Sequence, residues 1–196
     1  MKTANLKLVS MLVAFFVAGI TTIAQTTWNV DNAHSKIKFS TVHNGISDVD
    51  GWFQEFNSTI TASKEDFSDA VFELTIPVES IDTGVKMRDD HLRSADFFEV
   101  EKYPTMTYKS TSIQPTGKEN HYKLTGQLSM HGVTKTITMD LWYRGNYTNP
   151  ENKATSAGFK VTGILKRSDF NIGPKFPSAM ISDDVAIVAD LEYIKQ

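Results

Sequence analysis

The sequence predicts an all-β domain of about eight antiparallel strands, closed into a barrel or folded into a two-sheet sandwich. Three features predict it. Apolar and polar residues alternate with period two along most of the chain. Clusters of Gly, Asn and Pro fall between the alternating runs. Each run carries one apolar face that has to be buried, which a barrel or a sandwich achieves. The chain has 196 residues, with no linker, composition shift or internal repeat to divide it, so one domain is expected.

Residues 1–24 stand apart from the strand pattern. Lys2 and Lys7 precede an apolar run from Leu8 to Ile20, and Thr22 and Ala24 place small residues at −3 and −1 of a cleavage site. That is the order of a secretory signal peptide, and the run is shorter than the ~20 residues that span a bilayer. Cleavage after Ala24 leaves 25–196 as the mature domain, with 18 of the 20 basic residues against 23 acidic ones, a net charge of −5. A periplasmic or secreted product is expected.

The strands follow in order. Ile37, Phe39 and Thr41 alternate with lysines and serine; shorter runs cover 52–61 and 104–112. Phe72, Leu74, Ile76 and Val78 form one apolar face, and Tyr122, Leu124, Gly126, Leu128 and Met130 another. Val133, Ile137, Met139, Leu141 and Tyr143 form the next, then Phe159, Val161 and Leu165, and last Val185, Ile187, Ala189, Leu191 and Tyr193. Reversals are expected at Asn44-Gly45, at Pro115-Thr116-Gly117 and over 145–152, with a longer stiffened loop over 171–177. Only 85–98 breaks the pattern; it suits a short helix on which Asp89 and Arg93 are spaced to pair.

Composition and motifs exclude much chemistry. Cysteine is absent, which removes disulfides, zinc–thiolate and Fe–S sites, thiol catalysis and an acylated lipoprotein cysteine. The acidic balance argues against nucleic acid as a partner. The five histidines (His34, His43, His91, His121, His131) form no zinc spacing, so no metal site is expected. Gly45 to Val49 lacks the second glycine of a nucleophile elbow, and no phosphate loop or dinucleotide fingerprint is present.

Two groups of residues remain as candidates. The polar cluster Arg88-Asp89-Asp90-His91-Leu92-Arg93 reads in three ways: Asp89 and His91 as acid–base groups of an enzyme, a solvated helix face over Leu92, Phe97 and Phe98, or a lid whose arginines face an anionic head group. The second group is the inward face of the strands: Phe39, Phe53, Phe72, Leu74, Ile76, Met106, Tyr108, Leu128, Met130, Ile137, Met139, Leu141, Phe159, Val161 and Ile187. Such a face either fills a core or surrounds one elongated ligand. Small inward residues (Thr41, Gly126, Gly163, Ala189) lean toward a cavity.

A set of motifs then appears in order along the mature chain. His34-Ser35 with Phe39 and His43 opens it, followed by Gly51-Trp52-Phe53 and by Ile81-Asp82-Thr83 leading to Arg88-Asp89 and His91-Leu92. Phe97-Phe98 with Tyr103-Pro104, Gly126-Gln127-Leu128 and His131-Gly132-Val133-Thr134-Lys135 continue it. Gly158-Phe159, Arg167-Ser168-Asp169-Phe170 and Ser182-Asp183 with Val185 complete it. The chain resembles the YceI-like family, the lipocalin-like, polyisoprenoid-binding group. It departs from the family pattern at Asn171, where glycine is common, and at His131, where threonine or aspartate is usual.

The resemblance implies an eight-stranded antiparallel extended lipocalin-like barrel with a short helix near the mouth. It implies a tunnel that binds, transports or stores a long apolar ligand, either polyisoprenoid, quinone-like or fatty, without catalysis or cofactor. Arg88, Asp89, His91 and Arg93, with Arg167, are then rim residues, and about twenty buried carbons would gain ~16 kcal/mol gross. An enzyme using Asp89 and His91 and a filled-core, partner-binding barrel of an envelope stress response stay open as alternatives, as do transient membrane contact and a homodimer.

Overall fold

The computed structural model describes residues 25–196; the expected signal peptide lies outside them. Eleven strands make one antiparallel sheet. They are β1 (Thr26–Val30), β2 (Lys36–His43), β3 (Ser47–Phe53), β4 (Asn57–Ala62), β5 (Val71–Pro77), β6 (Ile81–Asp82), β7 (Thr105–Pro115), β8 (His121–Met130), β9 (Val133–Thr148), β10 (Thr155–Lys166) and β11 (Asp184–Lys195). One helix, α1 (Lys86–Arg93), follows β6.

The eleven strands occupy eight rows. β1 and β2 lie end to end along β11, with a corner over residues 31–35. β4 and β3 lie end to end beside them, and β5 and β6 beside those. From there each strand pairs with the next through β11, and the β11 pairing with β1 and β2 closes an up-and-down barrel. Closure leaves no long edge unpaired. The expected eight-stranded barrel is therefore correct, and the sandwich is not. The two-piece rows explain why β1, five residues without clear alternation, escapes a reading by period.

Turns fall mostly where the residues ask for them. Asn44 (φ 51°) and Gly45 (φ 71°) lead the three-residue β2–β3 connection, and His131 (φ 51°) and Gly132 (φ 74°) make the two-residue turn between β8 and β9, the positive-φ pairs that suit twisted hairpins. The expected reversal over 145–152 is displaced. Gly145 (φ 115°) sits within β9, opposite Gly158, where the register with β10 shifts, and the chain turns only after Thr148. Asn171, in place of the family's glycine, takes the left-handed conformation (φ 56°) all the same.

The interior is unequal from end to end. At the end where β5 begins and β11 finishes, Trp28, Phe67, Phe72, Tyr143, Phe159 and Tyr193 form one aromatic cluster with centroid separations of 5.0–6.3 Å. Phe67, on the β4–β5 connection, plugs this floor at 1% exposure. The outer face is polar, with Thr125–Thr138, Gln127–Thr136 and Ser129–Thr134 laddered across β8 and β9.

Candidate ligand-binding cavity

Above the aromatic floor the barrel is hollow. A cavity of about 220 Å³ runs toward the mouth, its wall almost wholly carbon. It is built by the inward period of every row: Ile37 and Phe39 of β2, Phe53 of β3, Phe72, Leu74 and Ile76 of β5, Met106 and Tyr108 of β7, and their counterparts on β8 to β11. One water needs only about 10–15 Å³, and an apolar cavity of 150 Å³ stays dry and admits benzene.

Three glycines shape this space. A side-chain carbon on Gly51 would collide with the Phe39 ring, one on Gly126 with the Tyr108 ring, and one on Gly163 with the Met139 thioether. Each large side chain therefore folds down onto a glycine instead of standing up into the barrel. The expectation that Gly126 and Gly163 leave room was right in outcome and wrong in detail. The room beside them is occupied, and the cavity exists because Tyr108 and Met139 are stowed there.

Two segments cap the mouth. Leu92 of α1 with Phe97 and Phe98 after it contribute one part of the wall, and Ile172 and Ile181 of the β10–β11 loop contribute the other. They are clasped outside the cavity by Phe97 stacked on Phe176 (centroids 4.8 Å apart), by the His91 ring edge-on to both, and by Lys175 bonded to Asp96 at 2.7 Å. A second clasp is His131, whose Nδ1 meets the Phe170 carbonyl at 2.9 Å and whose Nε2 lies 3.9 Å from the Glu99 carboxylate. Helix α1 is the expected short helix near the mouth. It ends at Arg93 rather than Phe98, because Ser94 leaves helical geometry and Glu99 takes φ 47°.

The expected rim residues are placed differently from the expectation. Arg167, 8% exposed, lies on the cavity wall but is turned into the β10–β11 loop. Its Nε donates to the Ser182 carbonyl, Nη1 to those of Ile172 and Gly173, and Nη2 to those of Phe176 and Ile181, over 2.5–3.2 Å. A guanidinium has five N–H donors, and all five are spent on the loop. Asp89 does not pair with Arg93; it is 7% exposed and accepts from the Thr83 amide and hydroxyl, at 2.8 and 2.5 Å. Arg88 donates to the Thr83 hydroxyl and carbonyl, and Arg93 to the Glu79 and Ile81 carbonyls and to Asp90. Arg88, Asp89 and Arg93 thus hold α1 to the chain that enters it, and neither they nor His91 are on the cavity wall.

Of the fifteen expected inward residues, thirteen line the cavity; Leu141 and Phe159, each 1% exposed, lie instead in the filled interior. Leu124, Leu165, Val185 and Leu191 also line it, on the same faces as the predicted ones. Ile172 and Ile181 are the residues that period could not find, since they come from a loop. Polar groups on the wall are few. Tyr193 and Ser58 bond to each other at 2.7 Å, and Ser58 also donates to the Glu73 carbonyl. Tyr108 Oη is buried and has no partner among the described residues; burial pushes its phenol above the ordinary tyrosine range. Metal-ligating side chains converge once among the described residues, Asp31, His34 and Glu192, outside the barrel at the β1–β2 corner. There His34 Nδ1 is engaged by Asp31 at 2.8 Å.

The YceI-like domain model matches residues 28–193. The chain belongs to the YceI-like family. UPF0312 protein ECA1782 of Pectobacterium atrosepticum is 34% identical over 98% of this chain and 96% of its own length, and Protein YceI of Salmonella arizonae is 33% identical over 92% of each. The crystal structure of Burkholderia cenocepacia BcnA superposes with a TM-score of 0.74 at 28% identity, covering 83% of this chain and 98% of that one. At 17% identity, a polyisoprenoid binding domain from Saccharophagus degradans shares the fold, with a TM-score of 0.65 over 85% of this chain and 97% of that one. As a YceI-like chain, it has the closed barrel its motifs implied.

Proposed function

We propose that this protein binds and carries, or stores, a long apolar molecule in its barrel without catalysing a reaction on it. The carrying observation is the cavity: about 220 Å³ of carbon-lined space between an aromatic floor and a two-part cap at the mouth. The shared fold with the polyisoprenoid binding domain of Saccharophagus degradans is a fold-level analogy in the same direction. Export past the inner membrane, after cleavage near Ala24, belongs to the same proposal and rests on the order of residues 1–24.

The enzyme reading lacks a site. Among the described residues the wall holds no histidine and no carboxylate; Asp89 is spent on Thr83, and His91 sits on the outer clasp with Asp96. The filled-core reading conflicts with the hollow upper half.

Size revises one expectation. Scaled from the 150 Å³ that admits benzene, the cavity of about 220 Å³ takes roughly ten carbons rather than twenty. Burying ten gains ~8 kcal/mol gross at ~0.8 kcal/mol each, so a longer chain must extend beyond it past the mouth. A membrane offers the same gain, so affinity for carbon alone cannot load the barrel.

Native mass spectrometry of the purified protein, with solvent extraction of what it carries, tests the proposal. A bound apolar molecule is expected, and it is expected to vanish in Met139→Trp, whose indole is too large for the seat on Gly163 and projects into the cavity, at an unchanged melting temperature within a few degrees. A filled variant that carries as much lipid as the parent would remove the cavity as the site.

A further inference from the structure

His131 stands on the β8–β9 turn, outside both parts of the cap, and meets each of them. Its Nδ1 lies 2.9 Å from the Phe170 carbonyl at the start of the β10–β11 loop, and its Nε2 lies 3.9 Å from the Glu99 carboxylate on the segment after α1. A carbonyl only accepts, so Nδ1 carries the proton in the first contact. In the neutral ring Nε2 is then a bare acceptor. It is buried, it has no hydrogen-bond partner among the described residues, and it faces a carboxylate that also only accepts. The neutral ring therefore joins one part of the cap and not the other.

The surroundings hold the ring in that position. Its side chain is 13% exposed, its backbone is left-handed (φ 51°), and Tyr103 lies edge-on to it with centroids 4.6 Å apart. The other charges near it have partners of their own. Lys102 Nζ is 3.6 Å from the Glu99 carboxylate and lies over the Tyr103 ring, and Asp169, beside Phe170, is paired with Lys135 of β9. Glu99 is thus the carboxylate that Nε2 faces, with Lys102 as its competitor. A buried acceptor left unmet is costly, and one proton removes that cost by making Nε2 a charged donor aimed at Glu99. The clasp at His91 differs, because His91 and Asp96 belong to the same part of the cap and Asp96 is already held by Lys175.

Resting on the reading of the barrel as a carrier, we propose that His131 is a proton-operated latch on the cap. Protonated, it donates Nδ1–H to Phe170 and Nε2–H to Glu99 and ties both parts to the β8–β9 turn; neutral, it lets the Glu99 part go. Imidazole is the side chain that changes charge between pH 5 and 8, a range in which ordinary carboxylates stay ionised. The latch therefore closes as pH falls, taking its proton from water, and opens as pH rises.

The test compares the parent with His131→Asn and Glu99→Gln at pH 5.5 and pH 8. Asparagine accepts the left-handed backbone and does not titrate. In the empty protein, urea unfolding reads the latch without any ligand. Relative to either variant, the folding constant of the parent is expected to be roughly three- to tenfold larger at pH 5.5 than at pH 8, the worth of one hydrogen bond to a partly exposed carboxylate. The second readout is stopped-flow release of 1-naphthylamine, a neutral ten-carbon probe whose emission shifts in apolar surroundings. Release from the parent is expected to slow by a similar factor at pH 5.5, and release from either variant to change less than twofold. Should one variant fail to fold, the other carries the same comparison. A stability ratio that ignores pH or moves the opposite way overturns the latch, as does a pH-dependent release that survives in His131→Asn. A shifted ratio with release equal at both pH values overturns the control of exchange and leaves a structural clasp. A parent that takes up no probe at either pH while the ratio still shifts refutes the carrier reading and not the clasp.

Discussion

Replacing Arg167 by methionine separates a loop staple from a rim contact. Methionine roughly keeps the unbranched stem and removes all five donors. Two of the orphaned acceptors, the Ile172 and Gly173 carbonyls, accept buried bonds, whereas those of Phe176, Ile181 and Ser182 are partly exposed and can turn to water. A buried acceptor left unsatisfied costs about 1–3 kcal/mol, so the two together cost about 2–6 kcal/mol, a large share of a domain's total stability of roughly 5–15 kcal/mol. Lysine has three donors on one nitrogen and cannot reach both ends of the loop, so Arg167→Lys should fall between parent and methionine. Urea unfolding at pH 7 measures the loss, and hydrogen exchange should show it concentrated over residues 168–183, with the floor around Phe67 protected. Should Arg167→Met match the parent in stability while losing an anionic ligand, the staple argument is wrong and the residue belongs to the rim.

Three smaller perturbations probe other parts. Gly163→Ala drives the Met139 thioether off its seat and into the cavity; the expected result is a lower capacity for apolar probes at a melting temperature near the parent's, read by native mass spectrometry. Phe176→Ala removes half of the stack that joins α1 to the β10–β11 loop, so ligand exchange in stopped-flow should speed up more than affinity falls. At the β1–β2 corner, the hydrogen bond that His34 Nδ1 donates to the Asp31 carboxylate raises the pKa of His34 and lowers that of Asp31. The pair supports the fold above the depressed value of Asp31 and below the raised value of His34, and its contribution fades as pH climbs through the latter; NMR titration should place the His34 midpoint above 6.5 in the parent and back near 6.5 in Asp31→Asn.

Legibility in the sequence followed the range of the interactions. Strand faces such as Leu128–Met130 and Ile137–Met139 are set by local alternation against one interior, so the wall could be read almost residue by residue. Rows that break in two could not, because the corner at 31–35 is defined by β11, some 160 residues away along the chain. The arginines misled for a related reason. A charge cluster signals solvent or an anion when read linearly, but Arg167 finds its acceptors in a loop that returns over it, and Asp89 finds Thr83 six residues back. Ile172 and Ile181 left no periodic signal at all. Glycine carried more than it showed: Gly126 and Gly163 read as small inward residues and Gly51 only as part of a motif, and their use appears only when the neighbouring strand lays a ring or a thioether across them.

The division of the barrel into a packed floor and a hollow upper half has an energetic consequence for loading. Unfilled volume costs about 24 cal/mol per Å³ relative to a filled core, so 220 Å³ amounts to about 5 kcal/mol forgone in the empty protein. The aromatic cluster at the floor is what lets the fold tolerate that loss, since Tyr193, Phe67 and Phe159 are almost wholly buried without any ligand. A molecule that fills the upper half returns much of the 5 kcal/mol to the complex, a gain the membrane does not supply because a bilayer has no cavity to close. Shape is thus a term that favours the barrel over the membrane for a given chain. Filling alone would make the protein a general sink for short apolar molecules.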